Sequence, residues 1–145
     1  MSQKKHIIDF RIRSSWHGIS RLYNRSANAH DSTSSMGFAL LNIEKVGTPS
    51  TQLGPKMGME SRSLSRILKS MLDSGLIFKK GDKSDKRKTH IFLSDKGLSL
   101  RKIAAHQVKS FNECVFNKVS RKELKAFYKV MDAVDESIEE LQNER

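Results

Sequence analysis

Between residues 60 and 88 the chain concentrates the side chains that suit contact with a polyanion. Ser61, Arg62, Ser65, Arg66 and Lys69 recur at the three- and four-residue spacing that makes one face of a helix. A guanidinium presents a planar fork of donors that can grip a guanine edge at two points. A hydroxyl reaches either a base edge or a phosphate oxygen. Shortly afterwards Lys79, Lys80, Lys83, Lys86, Arg87 and Lys88 crowd into ten residues against only Asp82 and Asp85. Such a run is a compact means of neutralising phosphates.

Other chemistries find no matching residues. His6, His17, His30, His90 and His106 form no pair four apart on one helix, so no metal site is expected from them. The lone cysteine, Cys114, rules out a disulfide within the chain and a cysteine-based zinc site. It stands among Phe111, Val115 and Phe116, where an inert, buried thiol is expected. There is no nucleophile–base pair and no glycine-rich phosphate loop, so the chain is expected not to be an enzyme and to need no cofactor.

The elements that must hold these residues follow from periodicity. The chain has 145 residues, 37% of them hydrophobic, and a net charge of +11, so it is expected to form one domain over 1–145. The charge is local: residues 56–102 hold thirteen basic and five acidic side chains, whereas residues 103–145 hold seven and eight. Ile8, Ile12, Trp16, Ile19 and Tyr23 mark one stripe of a helix over 7–27. A Ser/Thr-rich loop then caps a second helix through Phe38, Leu41 and Ile43 to about Val46. Thr48-Pro49 reads as the hydroxyl cap and first-turn proline of a third helix, which bends near Pro55 and closes at Gly58. Residues 60–73 place Leu64, Ile67, Leu68, Met71 and Leu72 on the face opposite the cations.

Leu76–Phe78 and Thr89–Leu93 read as short strands around a charged hairpin loop over 79–88. Ser94 caps a long helix carrying Leu100, Ile103, Ala104, Val108, Phe111 and Val115. After a break near Val119-Ser120, a last helix repeats Leu124, Met131 and Ile138 at sevens, with Phe127, Val134 and Leu141 offset by three. That is a heptad seam suited to a second copy of the chain. The fold class is thus mainly α (α+β). Two helices joined by a short glycine turn and followed by a basic hairpin describe a winged helix-turn-helix, here over 36–94 with its wing at about 79–89. Helical segments at 7–27 and 95–145 flank it.

Over residues 48–97 the sequence resembles the MarR family of transcription regulators. MGMESRSLSRILKSMLDSGLI is similar to that family's recognition helix and following strand, and KKGDKSDKRKTHIFLSDKG to its wing and re-entry. Asp85-Lys86-Arg87 and Leu93–Gly97 carry the match most specifically. Pro55 and the weak capping residue Glu60 depart from the pattern. The resemblance implies that residues 60–73 read a major groove, that Arg87 enters a minor groove, and that Asp85 steadies Arg87 through an ion pair. It also implies a homodimer on double-stranded DNA, joined through the flanking dimerisation helices at 7–27 and 95–145 and acting as a ligand-responsive repressor at a palindromic operator.

The expected DNA-contacting set is Ser61, Arg62, Ser65, Arg66, Lys69, Lys83, Asp85, Lys86, Arg87 and Lys88. A small-molecule effector would find a candidate cleft among Trp16, Tyr23, Met36, Phe38 and Phe111. The competing reading is a helical protein-interaction module whose basic patch aids solubility. The steepness of salt dependence separates the two. The longest apolar runs are far too short to span a bilayer and the wing lacks apolar bulk beside its cations, so no membrane partner and a cytoplasmic location are expected.

Overall fold

The computed structural model describes residues 7–144, which leaves His6 and the first five residues outside the description. The chain divides into two compact units, Met1–Gln107 and Val108–Arg145. In the first, α1 (Ile8–Asn28) and α2 (Ser34–Asn42) precede a two-residue strand β1 (Thr48–Pro49). Then come α3 (Ser50–Met57), α4 (Ser61–Asp73), β2 (Ile77–Gly81), β3 (Thr89–Leu93) and the start of α5 (Asp95–Phe116). The second unit holds the end of α5 and α6 (Arg121–Asn143).

The core of the first unit collects one apolar face from each element. Ala39, Leu40 and Ile43 meet Leu53 and Met57 of α3, Leu64, Leu68 and Met71 of α4, and Leu76, Ile77, Ile91 and Leu93 around the strands. The sheet runs β1-β3-β2 and is antiparallel throughout, with Thr48 opposite Ile91 and Phe78 opposite Phe92. Strand alternation sends Ile77, Ile91 and Leu93 inward and Phe78, Lys80, His90 and Phe92 to the other face. Two helices, a tight turn and a β-hairpin in this order are a winged helix-turn-helix, the fold expected from the sequence.

Three local expectations need correction. The second helix stops at Asn42 instead of Val46, because Ile43 is already extended. Thr48-Pro49 is a strand and not a helix start: Thr48 pairs with Ile91, and its buried hydroxyl accepts the Glu44 N–H at 2.9 Å. Proline is tolerated on this outer strand because such a position can spare a donor. Lys79, Lys80 and Gly81 belong to β2 and not to a loop, paired with Ile91, His90 and Thr89.

Within the second unit no described residue is buried. Ser120 and Glu123 close a capping box at the start of α6, with the Glu123 N–H on the Ser120 hydroxyl at 3.1 Å and the Ser120 N–H on the Glu123 carboxylate at 2.8 Å. The Ser120 N–H, and after it the Ser120 hydroxyl, hold the Glu123 carboxyl below its ordinary pKa. Cys114 also departs from expectation. It is exposed, because nothing in the unit covers that side of α5, and Lys118 Nζ donates to its Sγ at 3.0 Å.

Candidate nucleic-acid interface

Helix α4 is fixed in rotation by what it buries. Leu64, Leu68 and Met71 lie in the core, with Ile67 and Leu72 packed against it. Ser61, Arg62, Ser65, Arg66 and Lys69 are therefore all exposed, as the sequence pattern requires. Ser65 spends its proton on its own helix, donating to the Ser61 carbonyl at 2.8 Å, which leaves its oxygen as an acceptor. Glu60 caps the helix without a side-chain bond, so the first N–H groups of α4 stay available to a ligand. Sequence reading missed Ser63 and Ser70, which are exposed on the far flank of the same face. A full helical projection of the outward residues would have included them.

The turn before α4 is set by Gly58 in the left-handed region, φ 62°. Its N–H reaches the Pro55 carbonyl at 3.3 Å and the Met59 N–H reaches Gly54 at 3.0 Å, the paired bonds of a Schellman ending. Pro55 thus sits in the last turn of α3, where a missing donor disturbs little beyond one interior bond.

At its other end α4 is tied to the start of α5. The Ser94 hydroxyl donates to the Gly75 carbonyl at 2.6 Å and accepts the Gly97 N–H at 3.0 Å, and the Ser94 N–H reaches the Leu76 carbonyl. Lys96 Nζ donates to the Ser74 carbonyl at 2.9 Å. A Cβ on Gly97 would overlap the Leu76 carbonyl oxygen, so only glycine permits this approach. The exit of the outward-facing helix and the entry of α5 share one hydrogen-bonded knot.

The wing tip, residues 82–88, is shaped by its two acids. Asp82 accepts the Ser84 N–H at 2.8 Å and the Ser84 hydroxyl at 2.6 Å. The hydroxyl bond, followed by the N–H bond, holds the Asp82 carboxyl below its ordinary pKa. Asp85 accepts the Arg87 backbone N–H at 3.0 Å. This corrects the expected Asp85–Arg87 side-chain ion pair, since the carboxylate is engaged in shaping the turn. The Asp82 N–H closes the loop on Lys88 at 2.9 Å. Lys83, Lys86, Arg87 and Lys88 are all exposed around it.

The candidate effector residues differ in setting. Met36 packs against the core and accepts a weak bond from the Ser32 hydroxyl at 3.6 Å. Burial raises the Tyr23 hydroxyl's pKa. Trp16 and Phe38 are exposed, at 61% and 46%, and Phe111 is half-buried in the second unit. Among the described residues no three His, Cys, Asp or Glu side chains converge as a metal site, and no helix is long and apolar enough to cross a membrane.

No family model matches the chain. It is 29% identical over 93 residues to the HTH-type transcriptional regulator TtmR of Methylorubrum extorquens, a match covering 63% of this chain and 48% of that protein. The chain spans about half the length of the curated relatives it matches. The fold is that of solved MarR-type structures. A MepR–DNA complex from S. aureus superposes with a TM-score of 0.82 at 16% identity, covering 90% of this chain and 98% of that one. The MarR family transcription regulator SP03579 superposes at 0.76 and 22% identity, covering 92% and 89%.

Proposed function

We propose that the chain is a MarR-type transcription regulator that binds double-stranded DNA as a homodimer. One observation carries this reading: in a single unit, α4 turns Ser61, Arg62, Ser65, Arg66 and Lys69 away from a core fixed by Leu64, Leu68 and Met71, and the preorganised cationic wing follows it. In this reading α4 enters the major groove, with Arg62 reading a base edge and Arg66 and Lys69 holding phosphates. The wing places Lys83, Lys86, Arg87 and Lys88 along the backbone, with Arg87 reaching into the minor groove and Asp85 fixing the turn that presents it. The α6 seam of Leu124, Phe127, Met131, Val134, Ile138 and Leu141 supplies the contact with a second copy, and a two-fold dimer calls for a palindromic operator. A ligand held near Tyr23 and Met36 would release a cytoplasmic repressor from DNA.

The test is the salt dependence of duplex binding. Affinity should fall steeply and linearly on logarithmic axes as salt rises. Arg87→Ala should flatten that slope by about one ion while leaving thermal stability unchanged. Affinity that ignores salt contradicts the reading and favours a protein-interaction module.

A further inference from the structure

Ser61, Ser63, Ser65 and Ser70 all stand exposed on α4. Among them Ser65 alone has its proton committed. Its hydroxyl donates to the Ser61 carbonyl at 2.8 Å, and the direction is certain because a carbonyl oxygen can only accept. A mid-helix serine commonly bonds back in this way onto the turn before it. The hydroxyls of Ser61, Ser63 and Ser70 bond to no group among the described residues, so each is free to donate or to accept. The Ser65 oxygen presents lone pairs only.

The helix sets that oxygen beside the cations. Ser65 lies about 60° around the axis from Arg62 and about 40° from Lys69. Along the axis it is about 4.5 Å from Arg62, a rise comparable with the base-pair step of about 3.4 Å. An oxygen that can only accept cannot bond a phosphate, guanine O6 or N7, or thymine O4, since all of these are acceptors as well. The major groove offers it one kind of partner, the exocyclic amino group of adenine (N6) or cytosine (N4).

We propose that Ser65 makes α4 select an amino base, adenine or cytosine, over a keto base, guanine or thymine, at one position of each half-site. That position neighbours the base pair met by Arg62. The proposal rests on the reading of α4 as the groove-facing helix and adds to it the class of base. Each base pair shows one amino group in the major groove, on one strand or the other. Ser65 therefore reads the strand on which that group lies. Arg62, a pure donor, selects the acceptors of guanine, and Ser65, a pure acceptor, selects a donor next to it.

The experiment selects bound duplexes from a randomised half-site with the full chain, wild type beside Ser65→Ala. The site is exposed and alanine is a strong helix former, so the variant should keep its fold. Ser65→Ala should lose one preference, for adenine or cytosine, and keep the guanine. At that position, purine in place of adenine, or 2-pyrimidinone in place of cytosine, deletes the amino group alone. The deletion should weaken wild type about threefold to tenfold and leave Ser65→Ala unaffected. A lost preference for guanine or thymine, no lost preference, or equal sensitivity of the two proteins to the deletion overturns the proposal and leaves α4 a DNA reader. A wild type that selects no sequence overturns the reading of α4 and this proposal with it.

Discussion

The two units of this chain treat their apolar residues in opposite ways. In Met1–Gln107, Leu40, Ile43, Leu53, Met71, Leu76 and Ile91 are almost completely excluded from solvent by other side chains of the same unit. In Val108–Arg145, Phe116, Phe127, Tyr128, Val130, Ile138 and Leu141 all stand exposed. The first region has a reason to fold written within itself. The second is a pair of helical segments whose apolar surface asks for a partner, and the heptad spacing of its seam makes a second copy the economical answer.

The contrast can be broken most decisively at the seam. Phe127→Glu combined with Ile138→Glu should convert dimer to monomer at micromolar concentration by light scattering, with α4 and the wing still folded. A variant that stays dimeric would place the interface elsewhere. Leu40→Ala should cost about 2–5 kcal/mol in urea unfolding, since the side chain is almost fully buried in the core. The contributions of the two regions should also separate by concentration. Raising the protein concentration should stabilise wild type through the seam but should not recover the Leu40→Ala deficit.

A smaller effect is expected at the α6 capping box. Ser120→Ala should lower stability by about 1 kcal/mol and fray the first turn, read as faster amide exchange there. The smallest is electrostatic. Asp82 is half-buried and its folded pKa is lowered, chiefly by the Ser84 hydroxyl, so its carboxylate contributes order to the wing at neutral pH. That contribution fades as pH falls through the ordinary carboxylate range toward the lowered value. Wing amide shifts should titrate there in wild type and lose that step in Asp82→Asn.

How legible each element was in the sequence follows from how many residues its pattern had to declare itself. α4 could be placed with its rotation because Leu64, Leu68 and Met71 repeat over several turns and burial leaves no alternative face. β1 could not, since two residues carry no period and Thr48-Pro49 has the same letters as a helix start. Lys79 and Lys80 read as loop because charge suggests solvent, yet an edge strand welcomes lysine. Asp85 and Arg87 read as an ion pair because sequence offers side chains and hides the backbone N–H that the carboxylate takes. The Ser120–Glu123 box was present in the letters as Ser-x-x-Glu and passed unread. Cys114 sits among apolar neighbours, and neighbours in sequence do not cover a side chain unless another element is laid over them.

In the proposed complex the outward face of α4 reads bases. Selection of bound duplexes from a randomised half-site, run with wild type, Arg62→Ala and Lys69→Ala, addresses it directly. Arg62→Ala should lose preference at one position per half-site, at a cost of about 1–3 kcal/mol against the selected sequence. Lys69→Ala should weaken all sequences alike. If Arg62→Ala alters neither base preference nor affinity, α4 does not read DNA in the way described.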